Sequence, residues 1–207
     1  MKKVITIILT LLLLVGCSND SSKKVVENYL ESLKSMDYES TKTYMVNGKS
    51  FFSVENFADS VFEGYKRVNL KGTDEKSEEL ILSLAKKYIE KAVEKSMDFN
   101  YEIVEEVKTN SGVEVTVNLN VLDGEKFIES LENNESQLST ISTNSEEDIQ
   151  SYFEDLNNKL DSCTVETTRT LKLKLVKVDG NYKIENGVEI NDILIEPFSN
   201  FVEVFSR

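Results

Sequence analysis

Apolar residues recur at helical spacing from Val25 onward. Val25, Val26, Tyr29, Leu30, Leu33 and Met36 alternate with Glu27, Asn28, Glu31 and Lys34. Steps of three and four residues put side chains on one stripe, so this stretch predicts an amphipathic helix. Asp37 then serves as N-cap for a short helix over Tyr38 to Val46, and Asn47-Gly48 supplies its stop. Ser53 caps another, with an apolar face of Val54, Phe57, Ala58, Val61, Phe62 and Tyr65. After the break at Gly72-Thr73-Asp74, a longer helix runs from Glu75 to Ser96. Its stripe is Leu80, Ile81, Leu84, Ala85, Tyr88, Ile89, Ala92 and Val93. On its far side Glu90 and Glu94 alternate with Lys86, Lys87, Lys91 and Lys95, which describes a solvated face with pairs one turn apart.

The period changes at Met97. Phe99, Tyr101 and Ile103 alternate with polar residues, and Asn110-Ser111-Gly112 makes a turn. Val113, Val115, Val117, Leu119 and Val121 then alternate with Glu114, Thr116, Asn118 and Asn120. A period of two with one greasy face predicts an antiparallel hairpin. Asp123-Gly124 ends it. Glu125 to Glu132 has a short helical pattern, and 133–145 is a polar stretch rich in Ser, Thr and Asn. Ser145 and Asp148 resemble a capping box ahead of a helix carrying Ile149, Tyr152, Phe153, Leu156 and Leu160. Strand pattern returns over Cys163 to Val178, turns at Asp179-Gly180 and comes back through Asn181 to Glu185. Asn186-Gly187 is another turn. In the tail, Phe198, Phe201, Val202 and Phe205 follow Pro197, the single proline, and predict a short helix with Pro197 near its start.

The order is helices, a hairpin, a helical insert, a second hairpin and a final helix. Segregated helices and antiparallel strands make an α+β domain, with helices packed on a curved sheet that buries each stripe.

Composition removes more chemistry than it suggests. The 207 residues hold 0 histidines and 2 cysteines and carry a formal charge of -13. Without histidine, Ser-His-Asp and Cys-His catalysis, HExxH zinc chemistry and histidine pH switching are absent in their usual forms. No glycine-rich phosphate loop, CxxC pair or GxSxG elbow occurs. Ser145 to Asp148 lacks the spacing of a calcium loop, so no metal or cofactor is expected. So acidic a surface repels nucleic acid.

The start of the chain differs from the rest. Lys2 and Lys3 precede an apolar run, Val4 to Val15, and the run closes Leu14-Val15-Gly16-Cys17. A spanning helix needs about 20 apolar residues, so this run is short for a membrane anchor; an uncleaved anchor or a buried core helix is the alternative. A basic start and a short apolar core describe a secretory signal. The closing four residues resemble the lipobox of bacterial lipoproteins. That resemblance implies a diacylglyceryl group on the Cys17 sulfur and cleavage between Gly16 and Cys17. Residues 1–16 are then a removed signal peptide. Residues 17–24 are the lipidated cysteine and a flexible polar tether, and 25–207 form a single α+β domain. Loss of Lys2 and Lys3 moves the charge from -13 to -15. Cys163 is left without an intrachain disulfide partner and reads as a small buried hydrophobe.

Three stretches resemble the NTF2-like superfamily, and more narrowly lipoproteins of monoderm bacteria that carry such a domain behind a lipobox. They are Val25 to Met45 (VVENYLESLKSMDYESTKTYM), the Val113 to Val121 strand, and Leu175 to Ile184 (LVKVDGNYKI). The resemblance implies an NTF2-like cone. Tyr182 stands where these proteins often have Trp, and both the insert Glu125 to Ser162 and the tail after Ile184 are extra. Family enzymes often use a pocket Asp-His pair, which this chain cannot form, so the likeness favours a non-enzymatic member.

Three roles compete. The first is a tethered binding module for a small molecule, a peptide or an envelope protein. By strand parity Val165, Thr167, Arg169 and Leu171 share one face. Arg169 is one of three arginines, so Arg169 with Thr167 is the candidate ligand site for a carboxylate or phosphate. The alternative is an arginine at a sheet end paired with a nearby acid. The second role is an enzyme using carboxylate or tyrosine chemistry around Tyr101 and Glu102. The third is a structural or regulatory lipoprotein that meets a partner through Phe57, Phe62 and Tyr65. Membrane attachment through Cys17 is common to all three.

Overall fold

The computed structural model describes residues 21–48, 59, 63, 74–123, 126, 145–164 and 166–199, with the side chains of 195–199 excepted. The Ser21 hydroxyl accepts the Lys24 N–H at 3.2 Å and caps the first helix, α1 (Ser22–Lys34). Ser22 is buried, so the helix begins three residues before the Val25 start that apolar spacing predicts, and the tether loses Ser22, Lys23 and Lys24. At the other end Met36 takes a left-handed conformation (φ 57°). There the Asp37 N–H reaches the Ser32 carbonyl at 2.8 Å and the Met36 N–H reaches Leu33 at 2.9 Å. These two bonds form a Schellman stop, with Met where glycine is usual. Asp37 caps α2 (Tyr38–Thr43), which is shorter than its pattern predicts. A 3-10 turn, Val46–Gly48, follows with Asn47 and Gly48 both at positive φ.

Asp74 caps α3 (Glu75–Met97), and the Ser145–Asp148 capping box starts α4 (Glu146–Ser162). The two helices run parallel. Lys76 pairs with Glu146 near their starts, and Lys91 pairs with Asp161 at 2.7 Å near their ends. Lys95 adds bonds from its ammonium to the carbonyl oxygens of Leu160 (2.5 Å) and Asp161 (3.1 Å), satisfying groups that a helix end leaves open. Cys163 caps α4 through its own N–H to Leu160, so the following strand starts later than Cys163.

Among the described residues four strands form one open antiparallel sheet in the order β1 (Asn100–Lys108), β2 (Val113–Leu122), β3 (Glu166–Val178), β4 (Asn181–Ile184). The β3–β4 turn puts Asp179 and Gly180 at φ 50° and 85°, the backbone a two-residue primed hairpin requires. Val113, Val115 and Val117 lie opposite Leu175, Leu173 and Leu171, and all six are buried. The other face is polar and pairs Thr168 with Asn120 (2.8 Å), Thr170 with Asn118 (2.9 Å) and Lys172 with Glu114 (2.9 Å).

α1, α3 and α5 (Glu189–Ser199) cover the apolar face, and α4 packs on α3. Their buried side chains join those of the sheet in one cluster. The chain is thus α+β. α5 departs from the predicted tail: Ile190 and Leu194, both buried, anchor it, so Pro197 lies near its end rather than near its start. The predicted helices around Val54 to Tyr65 and Glu125 to Glu132 fall mostly outside the described residues, as do the polar stretch 133–144 and the chain after Ser199. So do Cys17, Phe57, Phe62, Tyr65 and Val165.

Candidate functional site

The inner face of the sheet turns polar at one end. Leu119 of β2 lies between Tyr101 of β1 and Arg169 of β3 in the same cross-strand row. One row further on, Val121 lies opposite Thr167. Strand parity therefore brings Thr167, Arg169 and Leu171 to the helix-facing side. With neighbouring strands about 4.8 Å apart, the backbones of Tyr101 and Arg169 are separated by roughly 10 Å.

Each of the two polar residues has an acid beside it. The Tyr101 hydroxyl donates to Glu31 Oε1 of α1 at 2.9 Å. Burial, this hydrogen bond and the charges of Glu31 and Glu27 push the Tyr101 phenol up to about 12. Tyr101 therefore stays protonated at neutral pH and acts as a donor, not as a base. Arg169 is half-buried, and its charge reaches Asp123 just beyond β2. The Asp123 carboxyl is held below the usual range, first by the Lys126 backbone N–H at 3.2 Å, then by the Lys126 side chain and by Arg169. An arginine at a sheet end thus has an acidic neighbour supplied by the next strand.

Tyr101 and Glu102 do not converge. Glu102 pairs across from Asn118 on the polar face, whereas Tyr101 faces the helices, because successive strand residues point to opposite sides. Cys163 is partly buried against the core, beside Tyr88, whose phenol burial pushes upward. Among the described residues no group of three or more Cys, Asp or Glu side chains is placed to hold a metal ion.

Sequence parity places Thr167 and Arg169 on the helix-facing side, as the register has them, but overlooks Asp123 and Glu31. Asp123 carries a usable signal: it continues the odd-numbered series Val113 to Val121 that faces the helices. Glu31 carries none, since its meeting with Tyr101 depends on how α1 crosses the sheet. No helix among the described residues is long and apolar enough to cross a membrane. No protein-family model, no curated protein and no solved structure matches this chain.

Proposed function

We propose that this chain is a lipid-anchored protein on the extracytoplasmic face of the cell membrane, working as a non-catalytic binding or interaction module. The observation that carries the reading is Leu14-Val15-Gly16-Cys17 behind Lys2, Lys3 and the apolar run. A thioether-linked diacylglyceryl group on Cys17 supplies two chains, enough for stable anchoring at about 0.8 kcal/mol per buried CH₂. Only Ser18, Asn19 and Asp20 separate Cys17 from the Ser21 cap. At about 3.5 Å per residue such a spacer holds the domain within roughly 15 Å of the headgroups. The lack of histidine and the engagement of Tyr101 with Glu31 support a module without acid-base catalysis. Helices that precede an antiparallel sheet and pack on one of its faces support an NTF2-like cone as the finer description of the fold.

Intact mass of the membrane-extracted chain tests the anchor. The expected mass is that of residues 17–207 plus a diacylglyceryl group, with Cys17→Ala abolishing the added mass. A full-length chain without lipid overturns the reading.

A further inference from the structure

The two edges of the sheet are finished differently. On the β4 side, the Ile184 N–H donates to the Tyr44 carbonyl at 2.9 Å, and Met45 bridges Ile184 in parallel. Lys183 Nζ donates to the Thr43 carbonyl. Where β4 ends, the Glu185 N–H bonds the Lys174 carbonyl at 2.8 Å. The Asn186 side chain then accepts from the Lys174 N–H and donates to the Lys172 carbonyl, each at 2.8 Å. On the β1 side, no backbone group among the described residues pairs with the outer edge.

We propose that β1 accepts an extended cationic segment of a partner protein as a fifth strand. The proposal rests on the reading of the chain as an interaction module and names the partner's chemistry. Among the described residues nothing meets the outward N–H and C=O groups along Asn100–Lys108, and these supply the ladder. Glu102, Glu105 and Glu106 are exposed; Glu105 acts at a distance on Lys172, whose ammonium bonds Glu114, and none of the three makes a direct ion pair among the described residues. Ile103 pairs with Val117 and Glu105 with Thr116, so Val104 is an extra residue in a bulge. The bulge leaves Val104 and Val107 exposed at 52% and 43%, two apolar points on an acidic edge. Glu102 and Glu105 share the polar face, opposite Asn118 and Thr116, so a strand with Lys or Arg at alternate positions sets its cations against both. A second copy of β1 fits poorly, because full antiparallel overlap sets Glu102 against Glu106, and like charges directly opposite repel. The bulge also twists the edge away from flat, uncharged strands.

The test is amide hydrogen exchange of the full chain in detergent micelles. The probes are a nine-residue peptide of alternating lysine and valine and a matched glutamate–valine peptide. The expected result is new protection confined to Asn100–Lys108 with the lysine peptide alone. Combined Glu102→Gln, Glu105→Gln and Glu106→Gln should weaken binding about tenfold, and added salt should weaken it further. Equal protection by both peptides, or none, overturns the proposal. So does slow exchange of β1 in the free monomer, which means the chain covers its own edge, or protection that tracks dimer formation. Acylation at Cys17 is scored on the same sample. Peptide protection on an unacylated chain removes the anchored reading alone, whereas an acylated chain without protection removes this site alone.

Discussion

The Tyr29 hydroxyl donates to the Gly187 carbonyl at 2.7 Å and so ties the first helix to the turn that opens the last one. Both residues are buried. A Cβ on Gly187 would sit 3.0 Å from the Tyr29 oxygen and 3.1 Å from Met45 Cε. Tyr29→Phe removes one of two donors to the buried Gly187 carbonyl, which keeps the Ile190 N–H at 3.2 Å, and should cost about 1 kcal/mol. Gly187→Ala should cost a similar amount by crowding. Removal of the hydroxyl relieves part of that crowding, so the alanine should cost less in the Tyr29→Phe background. Urea titrations of the four chains measure this coupling; strict additivity would contradict it.

Three tyrosines set the alkaline limit. Burial pushes the Tyr29 and Tyr88 phenols well above their ordinary value, and Tyr101 is pushed up to about 12. In the unfolded chain all three titrate near 10. Above that pH the folded state holds more protons than the unfolded state, so stability falls as pH rises. The contribution is complete below about pH 10 and, for Tyr101, is lost as pH rises through about 12. Tyr101→Phe should flatten part of this slope in denaturant titrations between pH 9 and pH 12, taken as about the range of the two values.

Gly112, in the turn just ahead of β2, lies against the β3 backbone at Leu175. A Cβ there would lie 2.0 Å from the Leu175 carbonyl oxygen, a backbone atom that cannot turn aside. Gly112→Ala must therefore push β2 from β3 next to the Val113–Leu175 pair. The expected loss is about 3 kcal/mol, the upper end for overpacking. Ser111→Ala, one residue earlier and exposed, should stay within about 0.5 kcal/mol. Thermal melts of the pair give the comparison, and equal melting temperatures would refute it.

Arg169 should be visible from Asp123. Loss of the Arg169 charge in Arg169→Ala raises the Asp123 pKa, while Lys126 still holds it below the ordinary range. A carbon-detected NMR titration reads the direction. A lowered folded pKa gives stability that is present above the unfolded value and lost as pH falls through the folded one. The acid limb of the stability curve should therefore flatten in the variant. An Asp123 titration that Arg169→Ala leaves in place would show the two groups to be electrostatically separate.

Local chemistry made much of this fold readable. Asp37, the Ser145–Asp148 box and Asp179-Gly180 announce their caps and turn with side chains that act within three residues. The β2 and β3 faces follow from strict alternation. The Val104 bulge was hidden, because one extra residue reverses every later position without altering composition. Beyond it Glu106 and Lys108, not Glu105 and Val107, lie opposite Val115 and Val113. α5 was obscured by reading Pro197 as a start signal, although Ile190, Ile193 and Leu194 already keep helical spacing ahead of it. The acids of the candidate site were least legible, since Glu31 reaches Tyr101 across 70 residues of chain.

The Asn186 side chain gives the sheet a terminus. Growth of a sheet from molecule to molecule needs two compatible edges on each unit, one to receive and one to offer. Here Asn186 imitates one more residue of strand beyond the end of β4 and occupies the Lys174 N–H and the Lys172 carbonyl of β3. A neighbouring copy therefore finds these two groups already engaged, which works against growth from molecule to molecule. Asn186→Ala would free both and give a neighbouring strand a place to pair.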